Sequence, residues 1–410
     1  MSSPRKALLI RMAPYDLTQA VPRAAATLEE MGYEITILSL DTTLEKPEAE
    51  YVGPWRVLWF RHTYKPRDKA SFLWTWLCWW RWVLRQIRRH RYDIVQASNL
   101  ESVVPCVIAR TFRRFALVLD VRDPWGMNSA DAGSLLMRMF KAVERWAAAR
   151  VDGIVLSQGI LDRTGAYFGP KVCRRVPCVQ VLNVPGRDLG EAYRPPDTRG
   201  IRLNFSGHIT YARNAQAIFD LAKEVPGVCV DVVGETRDQR LLDAIQATPN
   251  IRMFGRVSFE DTMALLQQAN LVAVMYDTNT EVAVVSSANK MFEAMMMSRP
   301  YVASCNGFPG VIAEQYGLGW AIPYGDTAAL VALAKSLLAS PEKIESAARN
   351  SRTAYETRFT WKRQKANLVL LYRTVLGDER PPYRTFAGWD RLMGTVSSPE
   401  DGVHCVDGVR

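Results

Sequence analysis

A chain of 410 residues, 48% of them apolar and 23% charged, is long enough for two or three domains with cores of their own. Its net charge of +10 favours anionic partners: nucleotides, lipid diphosphates, acidic membrane surfaces or nucleic acid. The seven scattered cysteines, with no C-x-x-C, argue against a disulfide framework or a zinc site, and no run is long and apolar enough for a spanning helix or a secretory leader. A cytoplasmic chain with reduced core thiols is the expectation. His62, His90, His208 and His404 have no metal-ligand spacing, and H-E-x-x-H, nucleophile-elbow and P-loop patterns are missing.

KALLIRMA (6–13) predicts a first strand, Pro22 sits near the start of a helix that ends at Gly32, and YEITILSL (33–40) predicts a second strand. This βαβ opening argues for a doubly wound sheet, without the G-x-G-x-x-G of a dinucleotide site. WRVLWFRH (55–62) reads as a third strand. The following SFLWTWLCWWRWVLRQIRRHRYD reads as a helix with Phe72, Trp76, Trp79, Trp80, Val83 and Ile87 on one face. Arg81, Arg85, Arg88 and Arg89 lie opposite, flanked by Trp74 and Trp82. Five tryptophans within nine positions beside arginines predict contact with an anionic membrane surface through Trp74, Trp76, Trp79, Trp80, Trp82, Arg81 and Arg85. The competing reading is a helix that covers the sheet. FALVLDVRDPWG (115–126) is a buried strand whose C-terminal end carries Asp120, Arg122, Asp123 and Trp125, where open α/β sheets bind ligands. Asp120, Asp123 and Arg122 are therefore catalytic candidates, against an internal ion pair that braces the loop. KAVERWAAARVDGIVLSQG (141–159) reads as helix then strand, with Glu144 and Asp152 structural.

After the Pro- and Gly-rich stretch 186–200, IRLNFSGHITYARNAQAIFDLAKEV restarts the strand–loop–helix pattern. Gly207 there allows close approach of backbone to a phosphate. Strands VCVDVVGE, NIRMFGRV and LVAVMYD follow. The most informative stretch is SSANKMFEAMMMSRP (286–300): Ser286–Asn289 can cap a helix, and Lys290 and Glu293 share a face at its start. A cation at a helix N-terminus suits a diphosphate, and a carboxylate one turn on suits vicinal hydroxyls such as those of a ribose. Together they describe a nucleotide-sugar pocket.

NKMFEAMMMSRPYVAS resembles the NK-x-x-E-hydrophobic-G-x-P-hydrophobic segment of GT-B glycosyltransferases, especially the retaining enzymes of family 4. The resemblance implies an α/β GT-B fold of two doubly wound, Rossmann-like domains facing across a cleft. The acceptor-side domain would be 1–185, the linker 186–200 and the nucleotide-sugar-binding domain 201–357. A C-terminal helix 358–376 would cross back to the first domain, and 377–410 would be a disordered tail. It also implies that Glu293 grips the ribose beside Asn289 and Lys290, that His208 and Arg213 after Gly207 take the diphosphate, and that Arg256 lies under the base. Val285 stands where relatives have an acid, and Ser298 where they have glycine. The implied activity is transfer of a sugar from a nucleoside-diphosphate sugar to a lipid-linked saccharide in surface polysaccharide or glycolipid synthesis. It would proceed with retention, with no cofactor and no metal, since D-x-D is missing, on a protein held peripherally at the cytoplasmic face of the membrane. Three alternatives stay open: a catalytically inactive GT-B scaffold, favoured by Val285 and His208; a basic nucleic-acid-binding protein, for which no fold signature is present and which is not expected; and a sugar-nucleotide epimerase.

Overall fold

The structure, a computed structural model, describes residues 4–16, 19–63, 69–127, 134–159, 167–169, 172, 175–195 and 200–378. The expected tail from 379 and positions 196–199 of the expected linker lie outside them. The chain forms two units: one takes it up to Leu182 and again from Gln364, and the other runs Asn183–Arg363.

The first unit is built on β1 (Arg5–Arg11), β2 (Tyr33–Asp41), β3 (Ala49–Val52), β4 (Trp55–Arg61), β5 (Ile94–Ser98), β6 (Ala116–Val121), β7 (Gly153–Leu156) and β8 (Cys178–Gln180), in the order β3-β4-β2-β1-β5-β6-β7-β8. All neighbours are parallel except the β3–β4 hairpin, which the sequence reading did not anticipate. Strands such as β1 and β5 are near-continuous apolar runs because helices cover both faces of a parallel sheet. Those helices include α1 (Ala20–Glu30), α2 (Lys69–Arg89), α3 (Asn99–Ala109) and α4 (Leu135–Ala148). The strand order reverses between β1 and β5, so their C-terminal ends mark the switch point where such sheets bind ligands.

Helix α2 corrects the expected membrane row. Trp79 is 0% and Trp76 6% exposed, with Val83 and Ile87 buried beside them. Trp79 packs edge-on to Phe60 at 5.6 Å, Trp82 lies 5.4 Å from the same ring, and Trp80 Nε1 donates to the Glu101 carbonyl at 2.9 Å. Helical periodicity put these rings on one face, and that face meets the protein. Burying an aromatic side chain of about 150–250 Å² is worth roughly 4–6 kcal/mol, more than leaving it in water until a bilayer arrives. Trp76 and Trp79 are core residues, Trp80 and Trp82 are half-buried, and only Trp74, Arg81 and Arg85 of the seven expected contacts are exposed. Among the described residues no helix is long and apolar enough to cross a membrane.

The second unit has a parallel sheet of β9 (Ile201–His208), β10 (Val228–Glu235), β11 (Ile251–Gly255), β12 (Leu271–Val274), β13 (Tyr301–Ser304) and β14 (Gly319–Ile322), ordered β11-β10-β9-β12-β13-β14. Its helices are α5 (Ala215–Glu224), α6 (Gln239–Gln246), α7 (Phe259–Gln267), α8 (Glu281–Val285), α9 (Asn289–Met296), α10 (Phe308–Tyr316), α11 (Thr327–Ala339) and α12 (Pro341–Arg358). Asp238 and Ser258 cap α6 and α7 by accepting first-turn N–H bonds. Ser298 explains its own place in the sequence. It takes φ +55, the left-handed conformation a glycine adopts freely after a helix, and its hydroxyl donates to the Glu191 carbonyl. The chain returns to the first unit in α13 (Trp361–Leu376), where Leu182 N donates to Gln364 Oε1 at 2.8 Å and Leu371 and Val375 pack on the bare backbone of Gly153.

Candidate active site

At the C-terminal ends of β9 and β10 the second unit has a cavity of about 200 Å³, lined by Gly207, His208, Glu235, Arg256, Thr262 and Lys290, among others. Gly207 has φ +111, and a Cβ there would lie 2.9 Å from Arg213 Nη1 and 4.0 Å from Lys290 Cε. Two cations thus converge on one bare stretch of backbone. Arg213 is held with its guanidinium 5.0 Å from the ring centre of half-buried Tyr276. Burial pushes the Tyr276 phenol up, and the nearby Arg213 charge opposes that shift.

Helix α9 begins at Asn289, and its N-cap residue is Ala288. The polar cluster Ser286–Asn289 therefore does not cap it as expected, because the cap position falls on the one residue there without a polar side chain. The N-cap residue thus offers the first-turn N–H groups no side-chain acceptor, which suits a bound anion. Lys290 Nζ stands 2.8 Å from Glu293 Oε2, with Glu293 8% exposed. Arg213 and Lys290 lie beside Gly207, and Glu293 pairs with Lys290. Of these, Gly207 and Lys290 line the cavity, together with His208 and Arg256, both exposed, whereas Arg213 and Glu293 stand behind its lining. Asn289 is exposed at the first position of α9, and Val285 is buried at the end of α8. Gly234 escaped the sequence reading: it pairs in register with Gly207, and a Cβ on it would come within 1.9 Å of the Gly207 carbonyl oxygen.

In the first unit, the candidates at the end of β6 divide. Asp120 is fully buried, with Arg122 Nε 2.9 and 3.0 Å from its two oxygens and Ser98 Oγ at 3.2 Å. Asp120, a catalytic candidate in the sequence, is thus enclosed and paired with the Arg122 guanidinium, as an ion pair that braces the loop would be. Asn99, at φ +59, accepts from the backbone N–H of Arg122 at 2.8 Å and of Asp123 at 3.2 Å, and so fixes the loop that carries both. A polar residue directly after a buried strand was the only signal for it. Arg11, at the end of β1, has its guanidinium pKa lowered, first by burial and then by Arg122.

Beneath this loop lie two buried carboxyls. Trp125 donates from Nε1 to Glu101 at 2.8 Å and from its backbone N–H to Glu144 at 2.8 Å. Burial pushes both Glu101 and Glu144 up to about 7, against the pull of those hydrogen bonds. A carboxyl with a raised folded pKa contributes stability below its unfolded value of 4.5 that is lost as pH rises through about 7. The loss is on the order of 3 kcal/mol per group at most. Urea unfolding between mildly acidic and mildly alkaline pH should show wild type losing stability relative to Glu144→Gln as pH rises. A constant difference would refute the raised pKa. Among the described residues no three His, Cys, Asp or Glu side chains gather as a metal-holding group.

Residues 17–179 match the family model described as "Glycosyl transferase 4-like domain", and residues 202–340 match "Glycosyl transferases group 1". A glycogen synthase of Mycobacterium tuberculosis is 24% identical over 320 residues, 72% of each chain. The fold recurs in sucrose-phosphate synthase from Thermosynechococcus elongatus, with TM-score 0.73 and 16% identity over 92% of this chain and all of that one. It recurs in Anabaena HepE in complex with UDP-glucose, with TM-score 0.64 and 15% identity over 90% and 99% of the two chains. WaaG, a glycosyltransferase involved in lipopolysaccharide biosynthesis, matches with TM-score 0.58 and 13% identity over 89% and 99%. The two family matches follow one another across the two parallel-sheet units, and the chain belongs to the GT-B glycosyltransferases, with a glycosyl transferase 4-like domain ahead of a group 1 domain.

Proposed function

We propose that this glycosyltransferase moves a sugar from a nucleoside-diphosphate sugar to a lipid-linked saccharide, in surface polysaccharide or glycolipid synthesis, while held peripherally at the cytoplasmic face of a membrane. The observation that carries the donor half is the convergence of Arg213 and Lys290 on the backbone of Gly207, with Glu293 one turn along α9. In this reading Gly207, Arg213, Lys290 and the open N-terminus of α9 take the diphosphate, and Glu293 takes the ribose hydroxyls. His208 and Asn289 flank the phosphates, and Arg256 lies beside the base. The HepE complex with UDP-glucose supports a uridine donor, and WaaG's place in lipopolysaccharide synthesis supports a lipid-linked acceptor. The acceptor is met by Arg122 and Asp123, with Asp120 holding Arg122 in place.

As the sugar leaves, negative charge grows on the diphosphate. Arg213, Lys290 and the helix end are already aimed at it, so stabilisation needs no metal. The burial of Asp120 favours retention, because a front-side attack can pass the acceptor proton to the departing phosphate oxygen without an enzyme base. The test is consumption of UDP-glucose and related donors with and without EDTA, with the anomeric configuration of the product read by NMR. Turnover unchanged by EDTA and a retained configuration are expected. Loss on chelation, restored by magnesium or manganese, would overturn metal independence. Donor binding should also stabilise the protein by about 2.7 kcal/mol at a hundredfold excess over Kd. The absence of both stabilisation and turnover with every nucleotide sugar would overturn the reading.

A further inference from the structure

Helix α4, which packs on α3 and on the turn at Trp125–Met127, turns its small and acidic residues inward and its large apolar ones outward. Its buried residues are Glu144, Ala147 and Ala148, whereas Leu135, Met139, Val143 and Trp146 are exposed. These recur every three or four residues and form one apolar stripe, with Leu135 73% and Met139 56% exposed. The first turns of α2 expose a second apolar row, Leu73, Trp74 and Leu77, with Trp74 63% exposed. The two rows adjoin. Phe140 of α4 packs 6.0 Å from Trp76 of α2 and 5.6 Å from Trp125, and Phe72 packs 5.5 Å from Trp76. The aromatic cluster thus stitches the two helices together and leaves their outer residues on one surface. An exposed patch of this kind marks an interaction site.

The charge says what covers it. One turn beyond Leu77 the α2 row continues as Arg81 and then Arg85, both exposed. Arg138 and Arg145 are exposed on α4, and Arg150 stacks 4.8 Å over Trp146. Helix α2 carries no acid, and the single acid of α4, Glu144, is buried. A two-fold contact with a second copy would set these arginines against their own images. An anionic lipid surface neutralises them and takes up the apolar stripe.

We propose that the outer face of α4, continued by the first turns of α2, is the surface on which the protein lies against an anionic bilayer. This rests on the peripheral-membrane part of the reading above and moves the contact away from Trp76 and Trp79. The stripe would enter the boundary between headgroups and acyl chains, with the arginines among the lipid phosphates.

The test is flotation of the full chain with phosphatidylcholine vesicles, with and without phosphatidylglycerol. Wild type should bind the anionic vesicles, more weakly as salt is added. The double variant Met139→Glu/Val143→Glu should bind at least about tenfold more weakly, and Arg81→Gln/Arg85→Gln should lose about fivefold per arginine. Both should keep the wild-type thermal midpoint and UDP affinity, since all four residues are exposed. Trp76→Ser, by contrast, should lower the midpoint. Wild type that ignores anionic vesicles, or a Met139→Glu/Val143→Glu variant that binds them like wild type, overturns the proposal. So does a wild-type dimer in sedimentation that this variant abolishes, because the face would then belong to a second copy. Turnover of a nucleotide sugar on a detergent-dispersed acceptor separates the two readings. If wild type turns over but does not float, the docking surface fails and the transferase reading stands. If the variant turns over but no longer floats, the docking surface is supported.

Discussion

Replacing Glu293 with alanine is expected to lower donor affinity by about 3 kcal/mol, roughly a hundredfold, and to leave the second unit folded. A carboxylate that accepts from two ribose hydroxyls makes charge-assisted bonds of about 1.5–3 kcal/mol each, and the two are not additive. The fold should survive because α9 is anchored by other residues. Met291, Phe292, Ala294, Met295 and Met296 are buried, and Phe292 packs 5.5 Å from Phe359. Losing Glu293 leaves Lys290 without its ion-pair partner, but that side chain is 21% exposed and keeps access to water and to the diphosphate. Calorimetric titration with UDP-glucose, UDP and uridine separates the roles. Glu293→Ala should weaken all three alike, since each contains the ribose. Arg213→Ala should weaken the two diphosphates and spare uridine. Wild-type affinity of Glu293→Ala for all three would remove the carboxylate from the pocket, and equal losses for Arg213→Ala would remove it from the diphosphate.

Part of the candidate donor site was legible in local spacing: Lys290 and Glu293 are three apart on one helix and so share a face. Arg213, six residues after Gly207, was implied only by the resemblance to GT-B glycosyltransferases, and the structure brings its guanidinium to the Gly207 backbone. Gly234 was not legible, since its role depends on which strand lies beside β9 and in what register. The same division runs through the first unit. Periodicity showed which residues of α2 share a face, but it does not say whether that face meets a sheet or a bilayer, as both are apolar. Helix α4 was read from Lys141, and so the stripe that begins at Leu135 went unread. The hairpin strand β3 bears exposed and half-buried residues without a core face, and leaves little pattern to find. Ser298 and Asn99 hold left-handed backbone that serine and asparagine seldom announce, and the Asp120–Arg122 pair looks the same in sequence whether it braces a loop or works on a substrate.

Gly234→Ala is expected to be the most damaging single-methyl substitution near the donor pocket, costing about 3 kcal/mol or more of stability and most of the nucleotide binding. Two effects act together. The residue holds φ +147, where a side chain strains the backbone by about 1–3 kcal/mol. Its Cβ would also stand 1.9 Å from the carbonyl oxygen and 2.9 Å from the carbonyl carbon of Gly207. Those are backbone atoms of the paired strand, so no rotamer can relieve the overlap. The ends of β9 and β10 must separate, which moves Gly207 away from Arg213 and Lys290 and opens the anion site. Gly325→Ala isolates the first effect. It too has positive φ, at +81, but its added Cβ meets nothing within 4 Å. That variant should lose only about 1 kcal/mol and bind UDP like wild type. Denaturant unfolding and UDP titration of the two variants make the comparison. If Gly234→Ala unfolds and binds UDP as Gly325→Ala does, the close approach of the two glycine strand ends is not what shapes the donor site.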